Sequence, residues 1–188
     1  MHSIDLLKDV KIIFKSADYH NYIIINNITD NTKDIKENTC FICIKGNNID
    51  THDFVDILPA KPALIVCEKQ INALTPYVIV PDTKKALAKI SANFYEHPSF
   101  KLNLIGVTGT DGKTTTALII KQLIDRFSVC GYIGTNGYNT GSFAEKAALT
   151  TPKPILLNRL LSDMAESNIP YASLEASSQG IIDNRIDC

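Results

Sequence analysis

The sequence predicts an α/β protein, with a small N-terminal α/β domain followed by a truncated, P-loop-type domain built on a mainly parallel sheet. Three observations predict it. Short apolar stretches alternate with amphipathic helical ones, the order that lays helices on a parallel sheet. Leu102 to Leu123, LNLIGVTGTDGKTTTALIIKQL, passes from an apolar run through a turn rich in Gly and Thr into an amphipathic helix. His97-Pro98 interrupts an earlier helix and sets a domain boundary at Pro98-Ser99, giving units of residues 1–98 and 99–188.

In the first unit, Tyr22 to Ile25, Cys40 to Ile44, Ala63 to Cys67 and Tyr77 to Val80 are apolar runs between polar turns, and each is expected to be a strand. Pro81-Asp82 starts a helix with Asp82 as its cap, and Ala86, Leu87, Ile90 and Phe94 repeat along one face. In the second unit, Leu102, Leu104, Ile105 and Val107 mark the strand that enters the Gly-rich turn. Val129 to Ile133 is the next expected strand, and Gly134 to Ser142, rich in Gly and Asn, is expected to be a loop. From Pro154 to Asn168 the apolar positions Leu157, Leu160, Leu161 and Met164 predict a helix, and Tyr171 to Ala176 a strand.

A chain of 188 residues with 45% hydrophobic and 21% charged residues has the make-up of one large or two small globular domains. The net charge of −1 and a pI near 6.4 provide no overall basic field for nucleic acid or anionic lipid, so any anion site is local. No apolar run has the length of a membrane span, and Met1 to Lys11 mixes charge with apolar residues, so the default location is the cytoplasm. Five cysteines, mostly inside apolar runs, suit buried reduced thiols, and Cys40-Phe-Ile-Cys43 reads as strand rather than metal site. Histidines 2, 20, 52 and 97 are scattered and receive no catalytic role.

The chemistry concentrates in the Gly-rich turn. Gly106, Gly109 and Gly112 allow backbone angles and close approaches that side chains forbid, leaving bare N–H groups to face an anion. Lys113 opens the helix beside them, so free amides, the positive helix end and an ammonium charge converge on one spot. That spot suits a polyphosphate. Thr114 supplies a hydroxyl where a nucleotide-bound magnesium ion needs one, with Thr115 and Thr116 behind it. The general pattern G-x-x-x-x-G-K-[ST] is missed by one residue, because Val107 stands where it requires glycine. Farther on, Glu175 lies at the carboxyl end of a predicted strand, where ligands of open α/β sheets bind and where it could share that magnesium ion with Thr114. A turn or helix start at Glu175-Ala176-Ser177 is the competing reading.

The loop GVTGTDGKTTT resembles the variant phosphate loop of the Mur ligases and their folylpolyglutamate synthetase relatives. Together with GYIGT at 131–135, LTTPKP at 149–154, LEASSQG at 174–180 and Arg185, it resembles the MurE type of that family. In the first unit, Phe41 to Gly46 followed by Thr51-His52-Asp53-Phe54, and the stretch VPDTKKALAKISANFYEHPS, are also similar to the family's pattern.

The resemblance implies an ATP-dependent amide-forming ligase, which adds diaminopimelate or lysine to UDP-MurNAc-L-Ala-D-Glu through an acyl phosphate, for peptidoglycan and cell-wall synthesis. It implies a UDP-MurNAc-binding domain over residues 1–98 and part of the central ATP-binding domain over 99–188, with the family's C-terminal domain absent. Gly109, Thr110, Asp111, Gly112, Lys113, Thr114 and Thr115 become the ATP loop; Lys113 and Glu175 are catalytic, and Thr114 and Glu175 hold magnesium. Thr150, Thr151, Ser177 and Arg185 become contacts to the nucleotide-sugar peptide. Asp111, Gln179, Asp183 and the triplet Asp30-Asn31-Thr32 depart from the family's usual residues. Since family members run to over twice this length, the chain alone is expected to be an incomplete, inactive fragment, with the remaining part as a possible separate chain. A module that binds ATP or a nucleotide sugar without turnover is the alternative.

Overall fold

Residues 1–46, 49–141 and 143–187 are described by the structure, a computed structural model. The chain separates into two units, Met1–Phe94 and Tyr95–Cys188, a few residues ahead of the break read at Pro98.

The first unit contains α1 (Ser3–Leu6), β1 (Phe14–Lys15), β2 (Asn27–Thr29), β3 (Thr39–Ile42), β4 (Leu64–Cys67), β5 (Tyr77–Ile79) and α2 (Thr83–Phe94). Its sheet runs β1-β5-β4-β3-β2, with β2 to β5 parallel and β1 antiparallel on the β5 edge. Every residue of β3 and β4 is buried, which is why these strands read as continuous apolar runs. Phe41, Cys43, Ile65, Cys67 and Tyr77 join Ile35 and Val55 in one core cluster.

The expected strand at Tyr22 to Ile25 is a correction. Its backbone pairs with the N-terminus instead of the sheet: Ser3 N donates to Ile23 O at 2.9 Å and Ile25 N to Met1 O at 2.9 Å. Ile23 and Ile25 are buried while Tyr22 and Ile24 stay exposed, so the alternation is that of an extended segment covered on one side. The true edge strand, Asn27–Thr29, carries two polar residues of three and gives no apolar signal.

Helix α2 begins as the sequence predicts, with Asp82 Oδ1 accepting from Lys85 N at 3.0 Å. A second carboxylate, Glu68, accepts from Thr83 N at 2.7 Å and Thr83 Oγ1 at 2.8 Å, placing negative charge at the helix's positive end. His52, on the 3-10 helix Thr51–Ile57, accepts Glu68 N at 2.9 Å through Nε2 while Nδ1 faces Asp50, so this histidine is a structural bridge. At the far end of α2, buried Asn93 donates to Leu6 O at 2.9 Å and Lys8 O at 2.8 Å.

The second unit contains β6 (Asn103–Val107), α3 (Lys113–Ile124), β7 (Cys130–Gly134), β8 (Gly137–Asn139), β9 (Ala144–Glu145), α4 (Pro154–Glu166), β10 (Tyr171–Glu175) and α5 (Ser178–Ile182). The sheet order is β6-β10-β7-β8-β9, with β6, β10 and β7 parallel and the last two strands antiparallel. Leu157, Leu160, Leu161 and Met164 of α4 pack with Ile133, Ala172 and Leu174 of the sheet, as the helical periodicity requires. The expected loop from Gly134 is corrected to a hairpin: β7 turns into β8 through Thr135-Asn136, with Gly134 opposite Gly137. The two-residue connection Thr135-Asn136 is short enough to join antiparallel strands directly, which the Gly- and Asn-rich composition concealed. Ser142, at the end of that stretch, and Cys188 lie outside the described residues.

Cys40, Cys43, Cys67 and Cys130 are free and buried. Burial pushes each thiol up, that of Cys67 to about 12, so they behave as small apolar groups. Among the described residues no helix is long and apolar enough to cross a membrane.

Replacing Asn93 with Ala removes both donors from two inward-facing carbonyls and should destabilise the first unit by about 2 kcal/mol. Urea unfolding followed by NMR at β3 and β4 checks this; an unshifted midpoint would exclude the anchoring role.

Candidate functional site

The strand–loop–helix stretch forms as predicted, with β6 leading into α3 and Gly112 as the residue before the helix, at a φ of +76° that favours glycine. Gly109 also holds positive φ, but Gly106 does not: it is a regular strand residue beside Leu174, with open space where a Cβ would stand. The expectation of a special backbone at Gly106 is therefore corrected. Lys113 folds back across the loop and donates from Nζ to Gly109 O at 2.6 Å and Thr110 O at 2.9 Å. Thr110 and Asp111 are exposed on the same loop, and Thr115 is exposed in the first turn of α3.

Because β10 lies between β6 and β7, all three parallel strands deliver their carboxyl ends to one edge. Glu175 ends β10 there, with none of its surface exposed. Thr114 Oγ1 donates to Glu175 Oε2 at 2.8 Å, joining the first turn of α3 to the strand end. Thr135 Oγ1 donates to the same oxygen at 3.2 Å, while Thr135 N at 3.0 Å and the Tyr132 hydroxyl at 2.5 Å donate to Oε1. Burial first, and then the carboxylate, push the Tyr132 phenol above its ordinary range, so it remains a donor.

Every donor to Glu175 is neutral, and among the described residues this buried carboxylate has no ion-pair partner. A buried anion without a counter-charge is costly, and a cation beside it removes that cost. The hard oxygens of Thr114 and Glu175 suit a hard cation such as magnesium.

Thr151 and Ser177 close the next layer. Thr151 Oγ1, fully buried, donates to Glu175 O at 2.7 Å and accepts Ser177 N at 2.9 Å. Ser177 caps α5 by accepting Gly180 N at 3.1 Å. Arg185 donates to Thr151 O at 3.0 Å and pairs with Asp183 at 2.9 Å, the carboxylate that also accepts from Gln179. Thr150, half-buried, has its hydroxyl 3.0 Å from that of Thr135. The Tyr138 hydroxyl accepts Leu149 N at 3.2 Å and donates to Leu149 O, fixing the entry to Thr150-Thr151. Thus Lys113, Thr114, Glu175, Thr150, Thr151, Ser177 and Arg185 belong to connected structure at one sheet edge.

Sequence reasoning missed Tyr132, Thr135 and Tyr138. The sequence carries no signal for the placement of the first: Tyr132 shares a face with Glu175 only because β7 and β10 pair Tyr132 with Ser173 in parallel register, and the period of two then carries the face on to Glu175.

Residues 107–188 match the family model of the Mur ligase middle domain. The UDP-N-acetylmuramyl-tripeptide synthetase 2 of Oceanobacillus iheyensis is 34% identical over 99% of this chain and 39% of its own length. The UDP-N-acetylmuramoyl-L-alanyl-D-glutamate–2,6-diaminopimelate ligase 1 of Clostridium acetobutylicum is 36% identical, over 96% of this chain and 38% of its own. The chain thus spans 38–39% of the length of these relatives. A solved structure of a ligase of that second name superposes with a TM-score of 0.75 at 22% identity, covering 100% of this chain and 38% of the other. A MurF ligase of Thermotoga maritima in complex with ADP gives 0.52 at 24% identity, covering 81% and 32%.

The Thr151 hydroxyl joins a buried carbonyl to a strand-end amide, so Thr151→Val should cost about 2 kcal/mol while Thr151→Ser retains most of the stability. Thermal melts of both variants check this; equal melting temperatures for Val and wild type would refute the link.

Proposed function

We propose, on the premise that this chain is a Mur ligase family member carrying the middle domain over residues 107–188, that its site binds ATP with magnesium for an amide-forming ligation. The observation that carries the reading is the hydrogen bond of 2.8 Å from Thr114 to buried Glu175, directly behind a loop crossed by Lys113. It assembles a lysine, a helix N-terminus and two hard oxygen ligands at the carboxyl edge of a parallel sheet.

In this reading Gly109 to Thr115 form the phosphate loop, and the Lys113 ammonium faces the transferred phosphoryl group. Thr114 and Glu175 hold magnesium, which when bound neutralises phosphate charge. The substrate class follows the names of the relatives, UDP-MurNAc-L-Ala-D-Glu extended by diaminopimelate, with lysine as the other amino acid that the sequence resemblance implies. Its carboxylate takes the γ-phosphoryl group and releases ADP; the amine of the incoming amino acid then displaces phosphate and forms the amide. Thr150, Thr151, Ser177 and Arg185 define the substrate side, Thr150 by offering its hydroxyl and the other three by shaping the strand end. Residues 1–98 take the nucleotide-sugar portion, and the reaction belongs to the cytoplasm. The protein's contribution is electrostatic and positional: fixed donors and charge aimed at the phosphates, and substrate groups held in line.

Lys113→Ala removes a charge-assisted phosphate contact and should weaken ATP binding by about one to two decades. Glu175→Gln, nearly isosteric, should weaken binding in the presence of magnesium and leave metal-free ATP binding unaltered. Calorimetric titration with ATP at several magnesium concentrations checks both. Unchanged affinity in Lys113→Ala, or unchanged magnesium dependence in Glu175→Gln, would sink the assignment.

A further inference from the structure

Tyr132 has no role in the nucleotide site as described, yet its contacts are specific. Its ring belongs to β7, is 3% exposed, and sends its hydroxyl to Glu175 Oε1 at 2.5 Å. The approach depends on Gly134, which ends β7. A Cβ on Gly134 would collide with both Glu175 Oε1 and the Tyr132 hydroxyl, so glycine leaves the gap in which the two groups meet.

The four donors to Glu175 are not equivalent. Oε1 receives a buried phenol and the Thr135 amide, at 3.0 Å, and both donor atoms are held in place: one by a packed ring, the other by the two-residue turn between β7 and β8. Oε2 receives only the hydroxyls of Thr114 and Thr135, at 2.8 and 3.2 Å, whose protons rotate freely to suit a new partner. One carboxylate oxygen is therefore occupied and the other exchangeable. The exchangeable one lies beside Thr114.

We propose that Tyr132 is a positioning residue that makes Glu175 a one-oxygen ligand and thereby biases the metal site toward magnesium over calcium. The inference rests on the reading of Thr114 and Glu175 as magnesium ligands. Magnesium takes six oxygens at about 2.0–2.1 Å in near-octahedral geometry, whereas calcium, with six to eight at about 2.3–2.6 Å, readily accepts both oxygens of one carboxylate. Occupying Oε1 withholds the second oxygen and disfavours the larger ion.

Tyr132→Phe removes the hydroxyl and keeps the ring. ATP affinity of this chain and of the variant, measured by calorimetry at saturating magnesium and again at saturating calcium, gives a ratio for each protein. Wild type should favour magnesium, and Tyr132→Phe should lower the ratio of magnesium- to calcium-supported affinity by about fivefold or more. Tyr132→Leu, which also lacks the hydroxyl, should shift the ratio the same way and serves if Tyr132→Phe does not fold; Gly134→Ala does not serve, because its Cβ would displace Glu175 itself. A melting curve accompanies each protein, because a purely structural tyrosine would lower the melting temperature and weaken binding with both ions equally. An unchanged ratio overturns the inference. If that occurs while Glu175→Gln loses its magnesium dependence, the nucleotide site stands and only the role of Tyr132 falls; wild type that binds no magnesium-ATP overturns both.

Discussion

The site depends on one electrostatic constraint: a carboxylate buried at the end of β10 with, among the described residues, neutral donors only. An ionised carboxylate out of water is tolerable when its oxygens are saturated with hydrogen bonds. Supplying four of them requires three chain segments to end at one level. The helix after β6 gives Thr114, β7 gives Tyr132, and the turn after β7 gives Thr135 twice. The parallel register across β6, β10 and β7 is what brings these ends together. Thr151 then ties the Glu175 carbonyl to the chain that follows, so the same strand end organises both the proposed metal side and the proposed substrate side.

What was legible in the sequence was local. Lys113 and Thr114 follow a glycine turn at fixed spacing, and Glu175 closes an apolar run, so position along the chain was enough to place them at a sheet edge. Helices α2 and α4 were legible from their periodicity, and α2 also from the Asp82 cap. Tyr132 and Thr135 were not, because their relation to Glu175 exists only once β10 inserts between β6 and β7, an order that strand patterns do not encode. The Tyr22 to Ile25 error has the same origin. Alternation showed an extended segment, but its partner was the N-terminus, and the polar strand Asn27–Thr29 took the sheet position.

The two units use apolar strands differently. In the first, β3 and β4 are buried along their whole length and carry thiols as packing groups, with His52 and Glu68 linking the 3-10 helix, β4 and α2. In the second, the apolar residues of α4 support the sheet while β6 and the loop remain comparatively open. Packing is thus concentrated away from the glycine-rich loop, whose shape rests on glycine torsions and on the bonds of Lys113.

Those bonds have a thermodynamic consequence for a ligand. A free lysine side chain carries about 2 kcal/mol of rotamer entropy, which a binding event would ordinarily have to remove. Here Gly109 and Thr110 already hold Lys113 over the loop, using two of the three ammonium protons and leaving the third for an incoming oxygen. The ordering cost is met when the chain folds rather than when an anion arrives. An anion entering the loop therefore meets a charge whose direction is set in advance, and the entropy of association is correspondingly less unfavourable than the length of the side chain suggests.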